Sequence, residues 1–342
     1  MFESFNAATG PNWKLRFVVA VISFALGAGG VSLWRMTQMP LRSYRGPLPS
    51  SSATQQELAS RLAQHVNYLS ATIGERNLRR DGSLKATTDY LRSNLAALGY
   101  SVREQTYTVE GHAVSNLEAE RPGTASDRGI VVVGSHYDSV SGTVGADDNA
   151  SGVAATLELA RMLQGSKLEK TIRFVFFVNE EPPYFQTESM GSVVYAKKLR
   201  QDGVRVSAMI SLETLGFYSD APGSQQYPAV LSLFYPDRGN FIGFVGNSES
   251  RDLVRRSIRK FRETTMFPSE GVDAPATWPG IGWSDHWSFW QQGYPAIMIT
   301  DTATFRDPYY HTAGDTFEKI DFEKMARVVD GVKSLLAALA NQ

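Results

Sequence analysis

The sequence predicts an α/β protein: a three-layer sandwich whose central sheet is mixed but mostly parallel, with helices on both faces, preceded by an N-terminal transmembrane helix. Three observations predict it. Short runs of Val, Ile and Phe, Gly129 to Gly134 (GIVVVG) and Thr171 to Val178 (TIRFVFFV), have the composition of strands buried on both faces. Helical spacing separates them, so strand and helix alternate as in a parallel sheet. Finally, Phe17 to Trp34 contains no charged residue, and Lys14, Arg16 and Arg35 flank it.

In chain order, residues 1–16 read as an N-terminal segment and 17–34 as the membrane span, since about 20 apolar residues cross a bilayer. A signal peptide is the rival, but its apolar core usually runs only about 7–15 residues. Basic residues lie on both sides, so the positive-inside rule does not fix the orientation. The expectation is a single-pass membrane protein with its C-terminal domain outside the cytoplasm. Residues 35–54 read as a linker because Pro40 to Thr54 is rich in Pro and Ser, and 55–342 as the folded domain. Leu58, Leu62 and Leu69 are spaced as on a helix over Glu57 to Leu69. A second helix runs from Leu84 to Leu98 and stops at Gly99. Ser101 to Val109 and Val114 to Glu118 read as strands. Gly152 to Leu163 and Ser189 to Leu199 are the crossover helices, and Ala208 to Leu212 is the third buried strand. Ala296 to Thr300 is another, and Asp321 to Leu339 closes the chain as an amphipathic helix. Asp220 to Gly282 resists assignment and reads as an excursion over the site.

Bulk composition narrows the function. A net charge of -1 over 342 residues gives no electrostatic reason to expect nucleic acid. The absence of cysteine excludes disulfides, thiolate zinc sites and a cysteine nucleophile.

Ligands of open α/β sheets bind beyond the C-terminal ends of the strands. There the chain carries His136 and Asp138 after the first buried strand, followed by the turn Gly145-Ala146-Asp147-Asp148-Asn149. Asn179-Glu180-Glu181 follows the second, Glu213 ends the third, and Tyr309-Tyr310-His311-Thr312 follows the strand ending at Thr300. Imidazole with carboxylate suits zinc, whereas carboxylate alone suits magnesium or calcium. Two zinc ions need about two His and three carboxylates, one bridging, and a further free carboxylate can act as general base. Asp138, two residues beyond His136, is placed to hold that ring. Each acid or His taken singly has a structural explanation; four strand ends converging on one edge do not. His65 and His112 lack such placement, and Asp285-His286 fits a supporting role and a purely structural one equally.

These motifs, His136-x-Asp138, Gly-Ala-Asp-Asp-Asn-x-Ser-Gly from Gly145, Asn179-Glu-Glu, Glu213, Ser284-Asp-His and Tyr310-His-Thr, resemble the double-zinc aminopeptidase family, which includes glutamate carboxypeptidase and the glutaminyl cyclases. The resemblance runs from Ser101 to the C-terminus. It implies a peptide substrate and two zinc ions, His136 and Glu213 on one, Glu181 and His311 on the other, with Asp148 bridging. It also implies Glu180 as general base and Asp138 as the residue that orients His136. The chain departs from the family pattern in three places. Glu213 stands where many members have Asp, Ile281 where a Tyr assists the oxyanion, and Pro182-Pro183-Tyr184-Phe185-Gln186 where a Gly-rich turn is common. A single-zinc glutaminyl cyclase and a non-catalytic receptor ectodomain are the competing expectations.

Overall fold

The computed structural model describes residues 13–125 and 128–342, with the side chains at 13, 14, 22, 24–26, 28 and 229 left outside that description. The chain forms two compact units, Met1–Gln38 and Met39–Gln342. In the first, α1 runs from Trp13 to Thr37. It contains the whole 17–34 stretch, of which positions 22, 24–26 and 28 have no described side chain. Among the described residues, no helix is long and apolar enough to cross a membrane.

The second unit is built on one eight-stranded sheet. Its strands are β1 (Val102–Val109), β2 (His112–Arg121), β3 (Ile130–His136), β4 (Thr171–Phe177), β5 (Val206–Glu213), β6 (Ile242–Asn247), β7 (Ser269–Ala274) and β8 (Ala296–Thr300). They lie in the order β1-β2-β4-β3-β5-β8-β6-β7. The central four, β4, β3, β5 and β8, are parallel. Antiparallel pairing begins on either flank, at β2 against β4 and at β6 against β8. The sheet is therefore mixed with a parallel heart, as the sequence predicts.

The helices are α2 (Ala53–Asn67), α3 (Ser83–Ala97), α4 (Gly152–Leu163), α5 (Gly191–Gln201), α6 (Arg251–Thr264), α7 (His286–Trp290) and α8 (Phe322–Ala340). One face of the sheet carries α2, α3, α4, α6 and α8 over a core that includes Leu62, Val133, Leu157, Phe174, Phe244 and Leu336, all essentially inaccessible to solvent. On the other face α5 and α7 cover a smaller core of Val132, Phe177, Tyr195 and Phe289. Burial on both faces explains why the central strands read as unbroken apolar runs.

Two elements differ from the sequence reading. The helix expected to start at Glu57 begins at Ala53, because Ser52 and Gln55 form a reciprocal capping box that fixes the start there. The unassigned stretch from Asp220 holds β6, α6 and β7. Both short strands contain Gly, β7 also carries Glu270 and Asp273, and α6 alternates arginines with its buried Leu253, Val254, Ile258 and Phe261.

Within the second unit, residues 39–52 run as a strap tied to β7, α6 and α8. Arg262 donates to the carbonyls of Pro40 and Leu41, both at 3.0 Å. Ser269 N–H, at the start of the edge strand β7, donates to Ser43 Oγ at 2.9 Å. Arg327 of α8 donates to Pro49 O and, at 2.8 Å, to Ser51 Oγ.

The path through the sheet creates the site. From β3 the chain crosses through α4 to β4 on one side, then returns through α5 on the opposite face to β5 on the other side. The C-terminal end of β3 is thus flanked by those of β4 and β5, at a point where the winding reverses.

Candidate metal centre

His136 is the last residue of β3, and Glu213 the last of β5. After β4, Asn179 adopts positive φ (60°), a conformation that Asn tolerates better than most residues, and directs Glu180 and Glu181 across the strand end. Asp148 sits in the distorted turn Ala146–Ser151 that leads into α4. Asn149 ties this turn to β5: its Nδ2 donates to Leu212 O at 2.9 Å, while its Oδ1 accepts from Gly152 N at 3.1 Å and Thr214 N at 3.2 Å. Gly152 permits that approach, since a Cβ there would lie 2.3 Å from Asn149 Oδ1 and 2.5 Å from Leu212 O.

These side chains converge. His136 Nε2 lies 3.2 Å from Asp148 Oδ1, 3.3 Å from Glu213 Oε2 and 3.8 Å from Glu180 Oε2. His311 Nε2 lies 3.0 Å from Asp148 Oδ2 and 3.2 Å from Glu181 Oε2. Asp148 thus directs one oxygen to each imidazole. Three groups offer ligand atoms close enough to share a cation: His136 with Asp148 and Glu213, His136 with Glu180 and Glu181, and Asp148 with Glu181 and His311. Every residue predicted for the site is in this cluster, with Asp138 directly behind it.

Supporting contacts hold the cluster in place. Asp138 Oδ1 accepts from Glu180 N at 3.2 Å and Oδ2 from Glu181 N at 3.1 Å. Its carboxylate is 3.5 Å from His136 Nδ1, and its main-chain carbonyl is nearer that nitrogen at 3.2 Å. Asp138 therefore positions the Glu180–Glu181 turn through its side chain, and meets the ring chiefly through its backbone. Glu213 accepts from Ser284 Oγ at 2.7 Å, and Glu181 from Val140 N at 3.2 Å. Asp147, the neighbour of Asp148, points elsewhere, its Oδ1 accepting from Gly216 N at 2.8 Å.

Charge in the cluster is unbalanced. Burial pushes Glu180 well above the usual carboxylate range, with the charges of Glu213 and Glu181 adding to the effect and His136 opposing it. Burial raises Glu181 to about 8, assisted by Asp148. For the imidazoles burial works downward, but the surrounding acids outweigh it: His311 reaches about 10, and His136 lies well above its ordinary value. Asp148 is the exception among the acids, since contact with both imidazoles overcomes burial and holds it below its usual range. Buried acids that outnumber the bases form a site short of positive charge.

The donor set fits zinc. For zinc bonds of about 2.0–2.1 Å, tetrahedral geometry separates neighbouring donor atoms by roughly 3.3–3.4 Å. The contacts of His136 and His311 with Asp148, Glu213 and Glu181 span 3.0–3.3 Å.

The family model for peptidase family M28 matches residues 116–336, more than half of the sequence. The chain belongs to peptidase family M28. Over 284 residues this M28 chain is 39% identical to the uncharacterized protein YfbL of Escherichia coli (strain K12), covering 80% of this chain and 86% of that protein. Over 244 residues it is 29% identical to a probable leucine aminopeptidase of Trichophyton verrucosum (strain HKI 0517), covering 66% of this chain. The chain spans 58% of the length of that relative. Its fold is that of BSAP, a zinc aminopeptidase from Bacillus subtilis, with a TM-score of 0.67 at 16% identity over 87% of this chain and 97% of that one. A Porphyromonas gingivalis glutaminyl cyclase shares the fold with a TM-score of 0.62 at 22% identity, over 83% of this chain and 99% of the other.

Two contacts around the M28 site escaped the sequence reading. Asp315 accepts from the backbone N–H groups of Asp147 and Asp148 at 2.7 and 3.1 Å. Tyr310 stacks on His311 with ring centroids 3.9 Å apart. Asp315 lies in a plain Gly-Asp turn that carries no signal of this role. Tyr310 stands beside a candidate ligand, and that adjacency was the available signal. An apolar recess adjoins Glu213 and Tyr310 and is walled by Tyr227, Leu231, Phe241, Ile281, Trp283 and Phe305.

Proposed function

We propose that the chain is a zinc-dependent exopeptidase of the aminopeptidase type. His136 and Glu213 would hold one metal and Glu181 and His311 the other, with Asp148 offering one carboxylate oxygen to each set. The observation that carries this reading is Asp148 itself, with Oδ1 3.2 Å from His136 and Oδ2 3.0 Å from His311. It divides the donors into two sets joined by one carboxylate, the arrangement a two-metal centre needs.

Zinc, when bound, supplies Lewis acidity and brings the pKa of a coordinated water towards neutrality. The protein's own residues do the rest. Glu180 belongs to neither donor set in this reading; it takes the proton of the attacking water and returns it to the leaving amine. Asp138 holds the backbone of Glu180 and Glu181, so base and ligand move together or not at all. Tyr310, stacked on His311 and bordering the recess beside Glu213, is the phenol assigned to the substrate carbonyl oxygen, in place of the Tyr that Ile281 lacks. The recess takes the N-terminal side chain of the peptide, and its apolar walls favour a large apolar residue.

The same reading keeps residues 17–34 as a single-pass anchor with the catalytic unit outside the cytoplasm. Its support is the uncharged apolar composition of that stretch between Arg16 and Arg35. Extraction of membranes at alkaline pH tests it: an anchored chain stays in the pellet, and release into the supernatant refutes the anchor.

The decisive experiment measures zinc per chain in the full-length protein and assays the same sample on aminoacyl peptides and on N-terminal glutaminyl peptides. Two zinc ions with release of free amino acids is the expected result. One zinc with pyroglutamate formation would move the protein to acyl transfer. No zinc and no turnover would refute the enzyme reading.

A further inference from the structure

Arg76 lies forty residues upstream of the segment matched by the M28 family and is fully buried. Its guanidinium is spent entirely on main-chain carbonyls. Nε donates to Tyr137 O at 2.8 Å, and Nη2 to Gly145 O at 2.9 Å. Nη1 serves Val144 O at 2.6 Å, Gly74 O at 3.0 Å and Leu69 O at 3.2 Å. The backbone adds two further links, Arg76 N to Ser139 Oγ at 3.0 Å and Ser139 N to Arg76 O at 2.8 Å. No carboxylate lies within ion-pair distance of Arg76 among the described residues.

Burying a cation without a paired anion is costly, and carbonyl contacts return only part of that cost. What the contacts do achieve is geometric. Tyr137, Ser139, Val144 and Gly145 belong to the segment that leaves His136, carries Asp138 and delivers the chain to Asp148. One planar fork therefore clamps both ends of this loop against the Leu69–Gly74 backbone. Gly145 makes the approach possible: it adopts positive φ (54°), and a Cβ there would lie 3.0 Å from Arg76 Nη2 and 2.2 Å from Asp148 O. A lysine could not replace this arrangement, because an ammonium has three donors at one point rather than five spread across a plane. The charge has a second consequence. Asp315, Asp138, Asp148 and Glu181 all lie near enough to favour the charged form of Arg76. A fixed cation behind these carboxylates offsets their mutual repulsion before any metal arrives.

We propose that Arg76 is the positioning residue of the metal-binding loop, whose guanidinium fork holds Asp138 and Asp148 in metal-ready geometry. The proposal rests on the two-metal reading and deepens it.

The test compares full-length wild type with Arg76→Lys and Arg76→Ala. Zinc affinity is measured by chelator competition, the visible spectrum after cobalt loading, and thermal unfolding of the metal-free protein. Arg76→Lys keeps the charge and is expected to fold, yet to bind zinc at least ten-fold more weakly, with an altered cobalt spectrum. Its kcat is expected to fall by at least ten-fold while KM changes little. Arg76→Ala is expected to be worse, and to regain zinc affinity when millimolar methylguanidinium is supplied. If Arg76→Ala does not fold, Arg76→Lys alone decides. Variants that lose thermal stability but keep wild-type zinc affinity, cobalt spectrum and kcat would overturn the proposal and leave Arg76 a scaffold residue. An Arg76→Lys protein equal to wild type would overturn it as well. If wild type itself binds neither zinc nor cobalt, the two-metal reading fails first, which is a distinct result.

Discussion

Asp138→Asn changes a single atom in the cluster, and the structure sets the size of its effect. The carboxylate accepts from Glu180 N at 3.2 Å and Glu181 N at 3.1 Å, and it is buried. An amide can accept from only one of these donors; its NH2 then faces the other N–H and leaves it unsatisfied. A hydrogen bond to a charged acceptor contributes about 1.5–3 kcal/mol, and an orphaned buried donor costs about 1–3 kcal/mol. The metal-free variant should therefore lose about 2–4 kcal/mol, equivalent to a fall in Tm of roughly 3–6 °C for a chain of this size. The relaxed turn carries Glu180 and Glu181, and a displacement of about 1 Å in a reacting group can cost about 100-fold in rate. Thermal unfolding in chelator, zinc content and steady-state kinetics on one preparation read all three effects. A Tm within about 1 °C of wild type together with kcat within about two-fold would refute the argument that Asp138 works through the backbone of that turn.

Three further predictions test other parts of the site. Tyr310→Phe should lower kcat by about 10–100-fold with little change in KM, since its hydroxyl acts on the developing oxyanion; equal kcat would remove Tyr310 from the mechanism. His311→Ala should reduce zinc from two per chain to one while leaving the His136 set loaded; retention of two would disprove its role as a ligand. His286 is buried, which depresses its pKa to about 4, with only the hydrogen bond to Ile281 O opposing. Because its folded pKa lies below the unfolded value of 6.5, its contribution is fully present above pH 6.5 and is lost as pH falls from there through 4. The shift corresponds to about 3 kcal/mol. Denaturant titrations of wild type and His286→Gln at several pH values should show wild type losing that much more stability across this window; parallel curves would refute the burial argument.

The legible part of this molecule is its parallel heart. The runs GIVVVG and TIRFVFFV have no polar face because both faces are covered, and the residues that follow them emerge where the winding reverses. That is why His136, Glu180, Glu181 and Glu213 could be placed together from the sequence. The flanks were not legible. β6 (IGFVGN) and β7 (SEGVDA) are short and contain Gly, and in α6 the arginines conceal an inner face of Leu253, Val254, Ile258 and Phe261. The adjacent acids Asp147 and Asp148 have identical chemistry, and only backbone direction separates them, one turned to Gly216 N and the other to two imidazoles. Arg76 and Asp315 bond to backbone atoms far away in sequence, and local pattern carries no trace of such contacts.

The strap at residues 39–52 determines how the protein can be cut for laboratory use. It looks like dispensable spacer, so trimming at about Ser50 is the natural choice for a soluble version. Such a cut would strip Arg262 of two carbonyl acceptors and remove the Ser43 hydroxyl that caps the first N–H of β7. It would also take away the Pro49 carbonyl that engages Arg327. An uncovered edge strand is a template for pairing with another chain. A shortened protein that begins at Met39 should stay monodisperse, whereas one that begins at Ser50 should self-associate through its β7 rim.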